Sequence, residues 1–390
     1  MPTPDLSIIV CTYQRPDNLR RVLASIAGQQ GGPQAIEVVV ADDGSTDETQ
    51  DVVKQFQKSV PFPVHFTTHP HGGFCPGKAR NEGVAASSGK YLLLLDGDCL
   101  LPSNHLRLQM AHRQAGVVRL GDCIRLDERT SAKITPAIAQ AGTFERAAPW
   151  SERRRILKQA AKSTFYNLRY HPNRPRLIAN NLALAREDFL RVNGFDENYV
   201  GWGAEDDDFG FRLRRVGLTL KTILWWTTCY HLWHPRVPSA PTGGQRGINL
   251  DYLHRNFHLV RCANGVIKRS GSDLSVRIVG TPPDSQVLRK VLPTEYLVAA
   301  RRNPERAEVE VLFAPGAGKF SGTADCNVLV ALSDGAETQA ALKRAHLVLT
   351  DQPFTGIAPE RQFSLSQWQA AMNLLLFNRQ PLSSAARRAA

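Results

Sequence analysis

The 390-residue sequence has no CxxC pair among its seven cysteines, no apolar run near the roughly 20 residues that span a bilayer, and no basic-then-apolar leader at its start. The first absence excludes a zinc knuckle or disulfide framework and predicts reduced thiols. With the other two, it predicts a chain that stays in the cytoplasm. The phosphate-loop pattern GxxxxGK[ST], the hydrolase elbow GxSxG and a convincing Ser-His-Asp order are also missing. No zinc finger, RRM signature or helix-turn-helix accompanies the formal net charge of +12, so charge alone does not imply nucleic acid. Internal repeats and low-complexity runs are absent too. What remains is a globular composition, 42% hydrophobic and 22% charged, long enough for two domains or one large one with an appendage.

The opening third alternates apolar runs with helical patterns. LSIIVCTY, IEVVVADDGS, PVHFTTH and YLLLLDGDCLLP read as strands, with PDNLRRVLASIAGQQ, TDETQDVVKQFQKS and a helix opening at GKARNEG between them. That order predicts an α/β fold with a mostly parallel sheet and helices on both faces. Continuous apolar strands are buried on both sides. In such sheets ligands lie beyond the carboxyl ends of the strands, where this sequence puts Thr12 and Arg15, Asp42 and Asp43, and Asp96 and Asp98. The larger domain is expected over residues 1–265, and a smaller α/β module over 270–378 from the strands LSVRIVG, AEVEVLFAP, NVLVALSD and HLVLTD. Between them a Pro- and Gly-rich tract, PRVPSAPTGGQRG, leads to a helix expected over NLDYLHRNFHLVRCANG. The end, LSSAARRAA, is expected to fray.

Five stretches carry chemistry. Asp96-Gly-Asp98 at a buried strand end can turn two carboxylates toward one hard cation. CYHLWHP offers His231 and His234, whose imidazoles suit Mn²⁺ or a similar ion better than Mg²⁺ and can complete a shell begun by Asp98. Asp42 and Asp43 can accept hydrogen bonds from a base and a ribose, while Lys78 and Arg80 follow a Gly-rich loop that suits phosphate. The fifth, GWGAEDDDFGFRLRRVG, sets Glu205 to Asp208 in a row behind Trp202. A helix start needs only one or two acids, and adjacent carboxylates raise one another's pKa, so the run points to a base. Separately, Arg146 to Arg176 carries nine Lys or Arg against the single acid Glu152, interleaved with Trp150, Leu157, Phe165 and Tyr166. That tract suits an anionic membrane surface or an anionic glycan, or is a solvated helix face.

SIIVCTYQRP, VVVADDGSTD, GKARNEG and LLLLDGDCLLP resemble the inverting family 2 glycosyltransferases of the GT-A fold. The span NNLALAREDFLRVNGFDENYVGWGAEDDDFGFRLRRVG, with CYHLWH after it, is similar to the β-1,4-galactosyltransferases and related N-acetylgalactosaminyltransferases. The resemblance implies a metal-dependent transfer of a hexose or N-acetylhexosamine, Gal or GalNAc first and Glc or GlcNAc as the alternative. The donor would be a UDP-sugar, and the acceptor a glycan or lipid-linked glycan of surface polysaccharide or lipopolysaccharide. A non-catalytic glycan- or nucleotide-binding module is the reading from another class. Residues 1–115 would bind the nucleotide sugar through Thr12, Arg15, Asp42, Asp43, Lys78, Arg80 and Asp96, and residues 177–236 the acceptor. Trp202 would close over the donor, Asp206 would be the base, and Glu205 and Asp207 would hold the acceptor. His234 matches the family's metal histidine; at His231 the galactosyltransferases carry Met, so His231 is a candidate on its own chemistry.

Overall fold

In the computed structural model, the structure describes residues 3–33, 35–235, 249–255, 258–280, 284–293, 296, 306–316, 318–352, 354 and 357–377. The Pro- and Gly-rich tract beyond residue 235 and the terminal LSSAARRAA lie outside them. The chain divides into two compact units, Met1–Asn249 and Leu250–Ala390.

In the first unit, β1 (Leu6–Thr12), α1 (Pro16–Ala27), β2 (Ile36–Asp42), α2 (Thr49–Gln57), β3 (Val64–Thr68), α3 (Pro76–Ala85) and β4 (Tyr91–Asp96) follow the expected alternation. Then come β5 (Cys99–Leu100), α4 (His105–Ala111), β6 (Val117–Leu120), β7 (Cys123–Arg125), α5 (Glu128–Ala132), α6 (Pro136–Gln140), α7 (Trp150–Leu168), β8 (Asn181–Ala185), α8 (Arg186–Arg191), α9 (Glu205–Arg215), β9 (Thr219–Thr222) and β10 (Cys229–His231). Among the described residues the main sheet has the order β3-β2-β1-β4-β8-β6-β9. Its pairings are parallel except those of β8, which runs antiparallel to β4 and β6. Ile8, Val10, Val38, Val40, Leu93 and Leu95 are buried with Leu19, Val22, Leu23 and Ile26 of α1. Proline opens both α1 and α3, where a missing N–H costs nothing. On α3, a Cβ on Gly83 would stand 2.5 Å from Ile9 Cγ2 and 2.9 Å from Ala41 Cβ, so the second glycine of GKARNEG lets this helix lie close on the sheet.

The chain leaves β1 for β2 on one side and later returns to β4 on the other. That reversal opens a crevice beyond the carboxyl ends of β1 and β4. The register makes those ends level: Thr12 pairs with Asp42, and Cys11 with Asp96. A small sheet of order β5-β10-β7 stands beside it, with His231 opposite Cys99.

The second unit is a parallel sheet of β11 (Val276–Val279), β12 (Val309–Ala314), β13 (Cys326–Ala331), β14 (Leu347–Leu349) and β15 (Gln362–Phe363), in sequential order. Among the described residues this order shows no reversal of the kind that opens the first unit's crevice. Of the helix expected over NLDYLHRNFHLVRCANG, only Leu250–Leu253 is helical among the described residues.

Candidate active site

A cleft of about 1100 Å³ opens at the β1/β4 crevice, lined by Thr12, Arg15, Asp43, Arg80, Asp96, Asp98, Trp202, His231 and His234 among others. Residues from several distant stretches meet here, whereas Glu205 to Asp208 do not themselves line the cleft. The volume suits a ligand the size of a nucleotide sugar.

The two acids of Asp96-Gly-Asp98 divide their duties. Gly97 donates its N–H to Cys11 O at 2.7 Å, and a Cβ there would lie 2.9 Å from Thr12 Cβ, so no side chain fits between the carboxylates. Asp98 gathers His231 Nε2 at 3.5 Å from Oδ1 and His234 Nε2 at 3.2 Å from Oδ2, with Arg15 at 2.9 Å from the same Oδ2. Burial pushes the Asp98 carboxyl up, but the hydrogen bond from His234 and the charges of His231, His234 and Arg15 outweigh it and hold the group at about 2. One ligand atom from each of Asp98, His231 and His234 lies within 4.8 Å of the others. His234 Nδ1 meets Pro235 O at 2.6 Å, which turns Nε2 toward the cluster in the manner of a metal histidine braced by a carbonyl. Carboxylate oxygen with two imidazoles fits a divalent ion such as Mn²⁺.

Asp96 instead accepts from Arg80 Nη2 at 2.8 Å. Arg80 is buried, and its Nη1 lies 3.8 Å from Asp206 Oδ1, so one guanidinium links the strand-end acid to the acid run. Arg80 also lines the cleft, with Nε and Nη1 making no hydrogen bond among the described residues. Lys78 points to Glu82 at 4.0 Å and does not line the cleft. Asp42 does not line it either: it accepts from Ser45 and from Thr68, which fixes its own turn. Asp43 does reach the cleft, braced by Cys75 N–H and His69. The sequence reading missed Tyr13 and His71, whose rings stack at 4.4 Å with 10° between planes on the cleft wall. The signal was there in HPHGG, a histidine just before the glycine pair.

The four acids have four environments. Asp208 is fully buried against Arg212 at 2.7 Å, a pair that ties α9 to the carbonyls of Val192 and Gly194; this acid is structural. Asp207 meets Arg176 at 2.8 Å near the surface. Asp206 accepts the N–H of Ala179 through Oδ2 at 3.0 Å, while its buried Oδ1 has no hydrogen bond among the described residues. Burial raises the Asp206 carboxyl to about 6, against the lowering charge of Arg80. Glu205 is raised to about 8 by burial and by Asp206, with Oε2 lacking a hydrogen bond among the described residues. Two neighbouring carboxyls pushed apart in this way are suited to different tasks near neutral pH. Ala204 enters α9 with φ of 75°, a left-handed conformation costly for a residue with a Cβ. Ala204→Gly is expected to stabilise the fold by about 1 kcal/mol, read as a higher denaturation midpoint.

Arg80→Gln removes the nearest positive charge from Asp206. The acid limb of the pH–rate profile is expected to move upward by about one pH unit, measured as kcat/KM against pH. An unmoved limb would mean that Arg80 does not set the ionisation of the group that titrates.

The family described as glycosyl transferase family 2 matches residues 7–164, and the one described as the N-terminal domain of galactosyltransferase matches residues 159–235. Over 226 residues the chain is 32% identical to validoxylamine A glucosyltransferase of Streptomyces hygroscopicus subsp. limoneus, covering 56% of this chain and 49% of that protein. It is 27% identical over 237 residues to hyaluronan synthase of Pasteurella multocida, covering 56% of this chain and 24% of that protein. The chain thus spans about half the length, or less, of these curated relatives. The crystal structure of S. aureus TarS aligns at 19% identity and a TM-score of 0.41, covering 59% of this chain and 37% of that one. The α/β architecture implied by the resemblance is the one observed. The chain therefore carries a glycosyl transferase family 2 domain over residues 7–164, continued over 159–235 by a galactosyltransferase-like region.

Proposed function

We propose that this chain is a metal-dependent inverting glycosyltransferase. It moves Gal or GalNAc from a UDP-sugar to a glycan or lipid-linked glycan in surface polysaccharide or lipopolysaccharide biosynthesis. The observation that carries the reading is Arg80, which joins Asp96, next to a three-residue metal-type cluster, to Asp206, a half-buried acid raised toward neutrality. A non-catalytic binding module would have no need of a carboxylate with one buried oxygen left without a hydrogen bond among the described residues. A glucosyl or N-acetylglucosaminyl donor is the second reading, favoured by the identity to a protein named a glucosyltransferase. A cytoplasmic setting is supported by seven cysteines without a CxxC pair, all but Cys11 buried.

In this mechanism the Tyr13–His71 stack and Asp43 lie where a nucleobase and ribose would sit, and Trp202 borders the opening. Asp98, His231 and His234 would hold the divalent ion, Mn²⁺ or another such as Mg²⁺, which when bound supplies Lewis-acid stabilisation to a departing diphosphate. Asp206, deprotonated above about pH 6, takes the proton of the acceptor hydroxyl as that oxygen attacks the anomeric carbon from the face opposite the leaving group. Glu205, still protonated at neutral pH, donates a hydrogen bond to an acceptor oxygen, and Asp207 holds a further hydroxyl. The test is a panel of UDP-sugars with Mn²⁺, scored for UDP release with and without glycan acceptors. Release with UDP-Gal or UDP-GalNAc is expected. Turnover with UDP-Glc or UDP-GlcNAc alone would select the second reading, and no release from any donor would remove the catalytic one.

A further inference from the structure

The helix α7 has two apolar faces, and the fold uses only one. Ile156, Ala160 and Ser163 are buried as the helix packs on β7 and β9. Asn167 donates to Leu220 O at 2.8 Å, and Arg155 to Asp122 at 3.0 Å, which fixes the rotation of the helix about its axis. On a second, exposed side, at helical spacing, stand Trp150, Leu157, Phe165 and Leu168, exposed by 69, 50, 53 and 73%. Trp225, half-exposed, extends the stripe by donating its indole N–H to Thr164 at 2.9 Å.

Along one flank of the stripe run Arg154, Lys158, Lys162 and Arg169, all exposed and none in an ion pair among the described residues. Arg169 lies 5.3 Å over the Phe165 ring, and Arg154, Arg155, Lys158 and Lys162 line a shallow depression. The one acid of the helix, Glu152, is taken by Arg155. An apolar stripe of large side chains beside an unneutralised row of cations is the pattern of a helix that lies in a membrane interface, and no described helix is long and apolar enough to cross one.

We propose that the outer face of α7 docks the chain on an anionic lipid bilayer, with Trp150, Leu157, Phe165 and Leu168 entering the acyl boundary and Arg154, Lys158, Lys162 and Arg169 meeting the phosphates. A soluble polyanion would satisfy the cations and leave the apolar stripe in water, so charge complementarity and apolarity together select the bilayer. This inference stands on a surface apart from the cleft and does not depend on the transferase reading.

The test is flotation of the full chain with vesicles of phosphatidylcholine alone or mixed with phosphatidylglycerol, at low and high salt. Two triple variants are compared: R154Q/K158Q/K162Q and L157S/F165S/L168S. All six positions are exposed, so circular dichroism and melting should match the parent. The parent is expected to float with the anionic vesicles at low salt and to be released by high salt. Each cation lost weakens binding about fivefold, so the charge variant should lose on the order of 100-fold. The apolar variant should also lose binding to the same vesicles, with its charge intact. Absence of parent binding at low salt, or equal binding to both lipids, would overturn the proposal. So would an apolar variant that binds as the parent does, since that pattern, with polyphosphate competing equally for both, marks a polyanion site.

Discussion

Asp206→Asn should keep the fold and the UDP-sugar affinity and lose transfer by about 10²- to 10⁴-fold, because the amide preserves size and the hydrogen bond from Ala179 but cannot accept a proton. Single-turnover rates at saturating acceptor measure this directly. In the parent, kcat/KM should fall about tenfold for each pH unit below about 6, where Asp206 takes up its proton. The same group has an opposite effect on stability. Its folded pKa lies above the ordinary carboxylate value, so the native state binds the proton more tightly and stability declines as pH rises through about 6; Glu205 extends the decline toward about 8. Asp206→Asn should therefore melt higher than the parent at pH 8 while being the poorer catalyst. Glu205→Gln and Asp207→Asn are the controls. Should either of them lose more turnover than Asp206→Asn, the base is another member of the run; should all three transfer normally, the run is only a helix start.

Asp98→Ala should reduce Mn²⁺-dependent UDP binding to the level seen with EDTA, a loss of about 100-fold or more, since the variant removes the carboxylate to which both imidazoles converge. His234→Ala should do nearly the same. His231→Met places the residue carried by the galactosyltransferases and should weaken Mn²⁺ binding by about tenfold while leaving the fold intact. Calorimetric titration of UDP with and without the metal separates these outcomes. An Asp98→Ala variant that binds UDP as the parent does, with the same metal dependence, would show that the cluster is not the metal site.

The sequence by itself determined the strands, the helices between them and the ends at which polar residues gather, because apolar periodicity is local and strand-end residues follow from it. It also marked Asp98, His231, His234 and Asp206, whose residue types suit few roles at such spacing. What it could not determine is who pairs with whom. Lys78 and Arg80 are two apart on α3, yet helix geometry turns Lys78 to Glu82 on the outside and buries Arg80 between Asp96 and Asp206, acids far away in the chain. Asp42 and Asp43 are neighbours whose side chains leave a strand end in different directions, one into its own turn and one onto the cleft. The run Glu205 to Asp208 reads as four like charges; the one-turn rotation of α9 gives one to Arg212, one to Arg176 and leaves Glu205 buried and Asp206 half-buried, both with raised pKa values. Which face of α7 is left over was likewise decided only when β7 and β9 covered the other. Periodicity tells which residues share a face, but contact with a distant element decides which face is buried, and burial is what fixes the ionisation and hence the chemistry of each acid.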